Sequence, residues 1–325
     1  MKYRQLGRTG LKGSEVGLGG FPISATWREQ DGKTVGWTGA EDQESVRLIH
    51  RAEELGVNLV DTAESYGAGH SEEVIGRALK GRRDGWIVAT KVSPNLGLSG
   101  DRPDPGQARK RIREALEGSL RRLGTDRVDL YQLHATPFDW AMEPMVETLE
   151  GLRISGKIRF WGISTDDVEA VRRLMELGEI GGLQVRYNLI QRRSESLLEF
   201  ARGRAIGTLI RVPLAKGILT GKYFGGMDLP ERDVRYERSL LPEVRDAVAK
   251  APALGFLAQS TGRTMTQAAI RFVLDNPAVS CVIAGAKTAA QIEENAGASG
   301  VPPLTQDERL RAAKIASEID IGEVF

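Results

Sequence analysis

Residues 57–67 read VNLVDTAESYG. Val57, Leu59 and Val60 form the short apolar run that a strand buried on both faces requires, and the run stops at a carboxylate, Asp61. A loop then carries Glu64, Ser65, Tyr66 and Gly67, and Ser71, Glu72 and Glu73 have the composition of a capped first helical turn. An acid thus stands at a strand tip with a phenol just beyond it. The same grammar recurs in residues 86–91, WIVATK, an apolar run ending in Lys91, and in residues 128–134, VDLYQLH, ending in His134. If the sheet is parallel the three tips point one way, and in a closed α/β barrel they ring the C-terminal mouth, where such folds place their chemistry.

Outward from these strands the pattern alternates. It predicts helices over 42–55, 72–80, 107–123, 144–155, 167–177 and 195–204, and strands over 16–19, 57–60, 86–90, 128–133, 158–163, 182–187, 208–212 and 279–283. Strict alternation argues for a parallel sheet with crossover helices, and a (β/α)8 TIM barrel spanning 1–325 as one domain is the economical closure. Gly7, Gly10, Gly13 and Gly17 punctuate an N-terminal β-hairpin leading into the first strand. Segment 22–39, with Trp27 and Trp37, is too long for a simple connector and is a candidate pocket wall. Trp140 is a further candidate for that wall. Segment 215–241, holding Gly221, Gly225, Gly226 and Pro230, reads as a mobile flap. Extra C-terminal helices are expected as a pair over 251–274 and as one capped by Thr305 that runs to about 318.

Acidic and basic residues nearly cancel, and a net charge of +1 gives no reason to expect nucleic acid or an anionic membrane as partner. Cys281 is the only cysteine and lies in the apolar run VSCVIAG, so it reads as a buried small hydrophobe in a reducing compartment. No apolar stretch approaches the ~18 residues of a spanning helix, and the N-terminus lacks a signal-peptide core, so the expectation is a soluble, cytoplasmic protein. Residues 151–157, GLRISGK, imitate a phosphate loop but lack its final Ser or Thr and lead from helix into strand. No GxGxxG follows the first strand, and no Cys/His spacing suits a metal.

The loop DTAESYG at 61–67, the lysine of ATK at Lys91 and the histidine of LYQLH at His134 together resemble the aldo-keto reductases. The resemblance runs from the opening KYRQLGRTGLKGSEVGLGG to the late IAGAKTAAQIEEN. It implies NADPH-dependent reduction of an aldehyde or ketone to an alcohol, or the reverse with NADP+, on a small carbonyl compound or sugar. Tyr66 would be the general acid, Lys91 and Asp61 would tune its pKa, and His134 would orient the carbonyl. A phenol has a pKa of ~10, and an ammonium at ~4 Å lowers it by up to roughly three units at an effective dielectric of ~20. Asp61 is the counter-charge that keeps Lys91 protonated. His50 and His70 read as structural.

The resemblance also implies a dinucleotide site. Gly20 and Phe21 leave the first strand at the mouth. Ser164 and Gln184 would grip the nicotinamide carboxamide, with Thr165 where asparagine is usual. Arg211 stands where an aromatic stacks on the nicotinamide, and a guanidinium plane can stack too. Pro213, Leu214, Lys216, Gly217 and Leu219 would line the pyrophosphate. Barrels commonly grip phosphate after strands seven and eight, and Gly285, Lys287 and Thr288 lead there into a helix whose Gln291, Glu294 and Asn295 share one face. Thr288 and Gln291 have capping-box spacing, and the helix's free amides with Lys287 form an anion site. The resemblance makes this the seat of the 2′-phosphate and adenine, so NADPH is preferred over NADH. Two rivals remain: a Schiff-base lyase using Lys91, and an NADPH-binding, redox-sensing regulatory subunit with little turnover. Oligomeric state leaves no mark in the sequence.

Overall fold

The computed structural model of the chain describes residues 1–28, 34–259, 262–322 and 324. Strands β1 (Tyr3–Gln5) and β2 (Lys12–Ser14) form an antiparallel hairpin that leads into β3 (Val16–Gly19). A second hairpin, β4 (Thr26–Arg28) and β5 (Thr34–Gly36), follows. Helix α1 (Asp42–Glu54) then begins the regular alternation: β6 (Leu59–Asp61), α2 (His70–Ala78), β7 (Ile87–Val92), α3 (Pro105–Leu123), β8 (Val128–Leu133), α4 (Asp139–Ile154), β9 (Ile158–Ser164), α5 (Val168–Leu177), β10 (Gly182–Arg186), α6 (Glu195–Gly203) and β11 (Gly207–Arg211). The long connection after β11 carries α7 (Tyr236–Ser239), α8 (Pro242–Lys250) and α9 (Met265–Leu274), and the chain ends in β12 (Cys281–Gly285), α10 (Ala289–Gly297) and α11 (Gln306–Ala316). The barrel closes in the order β10-β11-β12-β3-β6-β7-β8-β9, with every pair parallel.

Side-chain parity explains where the site lies. Successive strand residues alternate between the barrel interior and the helix layer. Leu59, Ile87, Ala89, Leu130, Leu209, Cys281 and Ile283 pack inside with Leu6 and Leu11, which the first hairpin inserts from below. Two residues further up the same strands come Asp61, Lys91 and Gln132, so the interior turns from apolar to polar toward the C-terminal tips. The other parity, including Val60, Val88, Tyr131 and Ile163, packs outward in the large core shared with the helices. Gly162 lets β9 and β10 approach closely, since a Cβ there would lie 2.2 Å from the Gly182 carbonyl oxygen, and Gly182 leaves room inside for Leu130, which a Cβ would meet at 2.8 Å.

Several expected bounds shift for local reasons. Helix α3 starts at Pro105 because Asp104 caps it, accepting from the Gln107 amide at 3.0 Å. Helix α4 starts at Asp139, so Pro144 lies inside it rather than at its first position. Residues 251–257 form a 3-10 helix rather than the first half of an α-helical pair. The expected flap holds a 3-10 turn over Ala215–Thr220 and helix α7, and the sequence reading left out α8 altogether. The side chain of Trp27 lies outside what the structure describes.

Candidate active site

Strands β6, β7 and β8 bring three of the expected residues to one point. Lys91 is wholly buried. Its ammonium donates to Asp61 Oδ2 at 2.7 Å, to the Thr62 carbonyl at 2.8 Å and to the Tyr66 hydroxyl at 3.2 Å. Asp61 Oδ1 accepts from Gln184 Nε2 at 2.9 Å and Gln132 Nε2 at 3.2 Å, so both carboxylate oxygens are held. Tyr66 is aimed back at Lys91 by a left-handed reversal, with Gly67 at φ 61° and Gly69 at φ 98°. A Cβ on Gly67 would meet the Ser24 carbonyl oxygen at 2.7 Å. His134 follows β8, its amide bonded to the Val92 carbonyl at 2.8 Å, and its ring lies 5.5 Å from that of Tyr66. The Ser65 hydroxyl is 3.3 Å from His134 Nδ1.

The electrostatics correct one expectation. Burial pushes the Tyr66 phenol up, Lys91 pulls it down and Asp61 pushes it up again, leaving it above its ordinary value. Asp61 offsets the ammonium that was expected to acidify the phenol, and burial disfavours phenolate. For Lys91 burial acts downward, but Asp61 and Tyr66 outweigh it and raise its pKa, so it stays a cation. That disfavours a Schiff-base role, which needs a neutral amine. Burial, then Lys91 and Arg211, lower His134 to about 3, so its imidazole is neutral.

Tyr66, His134 and Asp61 open onto a cleft of about 500 Å³. Of the expected cofactor residues, Gly20, Phe21, Gln184, Arg211, Pro213, Leu214, Lys216, Gly217, Gly285, Lys287, Gln291, Glu294 and Asn295 line it. Ser164, Thr165, Leu219 and Thr288 do not. Ser164 lies behind Gln184, with its Oγ 3.5 Å from Gln184 Oε1. The Thr165 hydroxyl turns to Thr136 Oγ1 at 3.1 Å and accepts from the Asp167 amide at 3.1 Å. Leu219 is buried in the core, and Thr288 caps α10. A larger open depression of about 850 Å³, bordered by Asp42, His70, Arg77 and Arg122, contains none of Asp61, Tyr66, Lys91 and His134.

The walls of the cleft are fixed by strained backbone and by a clasp. Val212, Ala215, Lys216 and Gly217 take φ of 56°, 45°, 54° and 111°, and for the β-branched Val212 this is a costly conformation of the kind found at binding sites. Asn188 Nδ2 holds the Val212 carbonyl at 2.9 Å. The expected flap is tied across the cleft: Val234 N donates to the Gly36 carbonyl at 2.9 Å, and Asp233 accepts from Thr38 Oγ1 at 2.8 Å. Arg235 grips both Asp233 oxygens, at 2.8 and 2.9 Å, and lies 4.5 Å from the Trp37 ring centroid. Trp37 is therefore a wall, as expected, whereas Trp140 stacks on Phe138 outside the cleft lining. Lys222, Tyr223 and Arg235 also line the cleft and were missed, because nothing in the local periodicity of the flap marks which residues face inward.

The anion site after β12 differs in detail. The Gln291 side chain accepts from the Lys287 amide at 2.8 Å instead of completing a capping box with Thr288. Glu44 of α1 accepts from the Ala289 amide at 3.3 Å, so this helix start is already partly satisfied. Lys287 Nζ donates to the Thr38 carbonyl at 2.7 Å, and Asn295 Nδ2 to the Gly285 carbonyl at 3.2 Å. Among the described residues no carboxylate pairs with Lys216, whose ammonium rests 4.5 Å from the Phe21 ring centroid. Burial and then Arg238, Arg235, Arg211 and Arg186 lower it to about 7. Burial and the nearby Arg235 and Lys222 depress Lys287 as well. Cations crowded in this way fit a ligand that brings several negative charges.

A sequence model described as the Aldo/keto reductase family matches residues 17–316. The chain is 32% identical over 318 residues to the Bacillus subtilis (strain 168) protein "Aldo-keto reductase YhdN", covering 95% of this chain and 92% of that one. It is 33% identical to a "Probable voltage-gated potassium channel subunit beta" of Oryza sativa subsp. japonica, over 95% of this chain and 94% of that one. Among solved structures, an aldo-keto reductase from Klebsiella pneumoniae in complex with NADPH superposes with a TM-score of 0.75 at 26% identity, covering 97% of this chain and 95% of that one.

Proposed function

The chain belongs to the aldo/keto reductase family, and on that premise we propose that it reduces aldehyde or ketone carbonyls with NADPH, using Tyr66 as proton donor. As a family member it is an NAD(P)H-dependent oxidoreductase. The observation that carries the finer reading is the contact of one ammonium, Lys91, with both Asp61 and Tyr66 beside His134, at one end of a cationic cleft. That cleft, with no carboxylate paired to Lys216 among the described residues, suits the phosphates of NADPH, and the Klebsiella structure holds NADPH on the same fold. Lys216, Arg235 and Lys287 would hold the phosphates, and Gln184 would meet the nicotinamide amide.

When bound, the reduced cofactor supplies hydride to the carbonyl carbon. His134, neutral, donates a hydrogen bond to the carbonyl oxygen from Nε2, the tautomer in which Nδ1 is free to accept from the Ser65 hydroxyl 3.3 Å away. Tyr66 breaks its O–H bond and gives the proton to that oxygen as charge develops there. The resulting phenolate is stabilised by Lys91, which keeps its own proton because Asp61 holds it. A phenol above its ordinary pKa is suited to this direction: it retains its proton until an alkoxide, a far stronger base, forms.

A second reading, an NADPH-binding subunit with little turnover, is favoured by the likeness to the rice channel-subunit protein. Consumption of NADPH, followed by its absorbance against a panel of aldehydes, ketones and sugars, separates the two. A substrate-dependent rate is expected. NADPH binding without consumption on any member of the panel would favour the second reading.

A further inference from the structure

Arg186 and Arg211 are register partners at the tips of β10 and β11. Asp166 stands against both, with Oδ2 at 2.5 Å from Arg211 Nη2 and 3.9 Å from Arg186 Nε. Its Oδ1 accepts from the Arg186 amide at 2.8 Å and from Ser194 Oγ at 3.3 Å. One carboxylate is thus divided among several donors, and Arg211 keeps a positive field. The Arg211 Nε is buried with no hydrogen-bond partner among the described residues. That field is felt by Tyr66, His134 and Lys216, all of which line the same cleft.

A ring that exchanges hydride with a carbonyl held by Tyr66 and His134 has to occupy the end of the cleft that Arg211 lines. The oxidised nicotinamide ring is positively charged, and the reduced ring is neutral. Both oxidation states carry the same phosphates, so Lys216, Arg235 and Lys287 attract them alike. A fixed guanidinium beside the ring repels the oxidised form alone, while its stacking contact is common to both. We propose that Arg211, held in check by Asp166, makes the cleft discriminate the oxidation state of its dinucleotide and bind NADPH more tightly than NADP+. The inference rests on the NADPH-dependent reading above, and it favours release of spent cofactor in the direction of carbonyl reduction.

The test is equilibrium titration of the full chain with NADPH and with NADP+, comparing wild type, Arg211→Gln, Arg211→Lys and Asp166→Asn. Wild type is expected to bind NADPH the more tightly, and the ratio of the two Kd values should shrink by roughly tenfold in Arg211→Gln, the scale of one screened charge contact. Arg211→Lys should retain the preference, and Asp166→Asn should enlarge it. An unchanged ratio in Arg211→Gln, with both forms still bound, overturns the proposal and leaves the NADPH reading intact. Should Arg211→Gln fail to fold, an unchanged or reduced ratio in Asp166→Asn overturns it equally. Failure of wild type to bind either form overturns both readings.

Discussion

At the scale of single residues, the cleft uses one lysine to hold a proton and another that is close to losing one. Lys91 is buried and paired, so its charge is permanent; Lys216 is crowded by arginines and lowered to about 7. A phosphate beside Lys216 would restore the ammonium, so NADPH binding should take up a proton. By linkage, affinity is greatest below pH 7 and falls as pH rises through about 7 and beyond, where the free protein's amine is neutral and must be recharged. Titrations across that range should show the decline in wild type and its absence in Lys216→Met. An affinity independent of pH in wild type would mean that Lys216 takes no part. His134, at about 3, should contribute no ionisation near neutrality to the rate profile.

At the scale of elements, the hairpin β4/β5 and the segment after β11 act together. Their link is a bridge between Gly36 and Asp233, nearly two hundred residues apart, reinforced by Thr38, Arg235 and Trp37. Replacing Asp233 with Asn weakens the grip on Arg235 and on Thr38, so amide exchange at Gly36 and Val234 should quicken while the barrel strands stay protected. Equal exchange in wild type and variant would show that this ion pair does not fasten the clasp. The clasp was invisible in the sequence because a contact between distant loops leaves no period to read. Helix α8 was legible and overlooked: Pro242 stands at its first turn, and Val244, Ala247 and Val248 share its buried face. The barrel strands read clearly because their apolar runs are short and bounded. The helix start at Pro105 was misplaced because a cap, Asp104, rather than hydrophobic period, decides it, and the start at Asp139 because Pro144, expected at the first position, lies inside the helix.

Across the whole molecule, stability and chemistry occupy opposite ends of one barrel. At the base, buried Glu15 accepts from Arg4 Nε at 2.8 Å and Ser299 Oγ at 2.9 Å and lies 3.8 Å from Arg271, tying the first hairpin to the C-terminal helices. Glu15→Gln should lower unfolding stability in urea by about 2 kcal/mol, less than a fully stranded charge would cost because Arg4 keeps some solvent, with NADPH affinity unchanged. A loss of affinity without a loss of stability would contradict this division. The same division explains how much of the site the sequence revealed. The meeting of Asp61, Lys91 and His134 at one mouth was legible because each ends or closes a strand, where parity and direction are fixed. That Thr165, Leu219 and Thr288 stand off the cleft lining was not legible, because a loop residue's neighbours, not its position in the chain, decide where it points. The central claim is that the Tyr66 phenol delivers the proton while Lys91 stabilises what remains. It is tested most directly by comparing wild type with Tyr66→Phe on a carbonyl that wild type reduces, measuring turnover and NADPH affinity in the same preparations. The account predicts turnover lowered by roughly 10² or more at nearly unchanged affinity; undiminished turnover in the variant would contradict it.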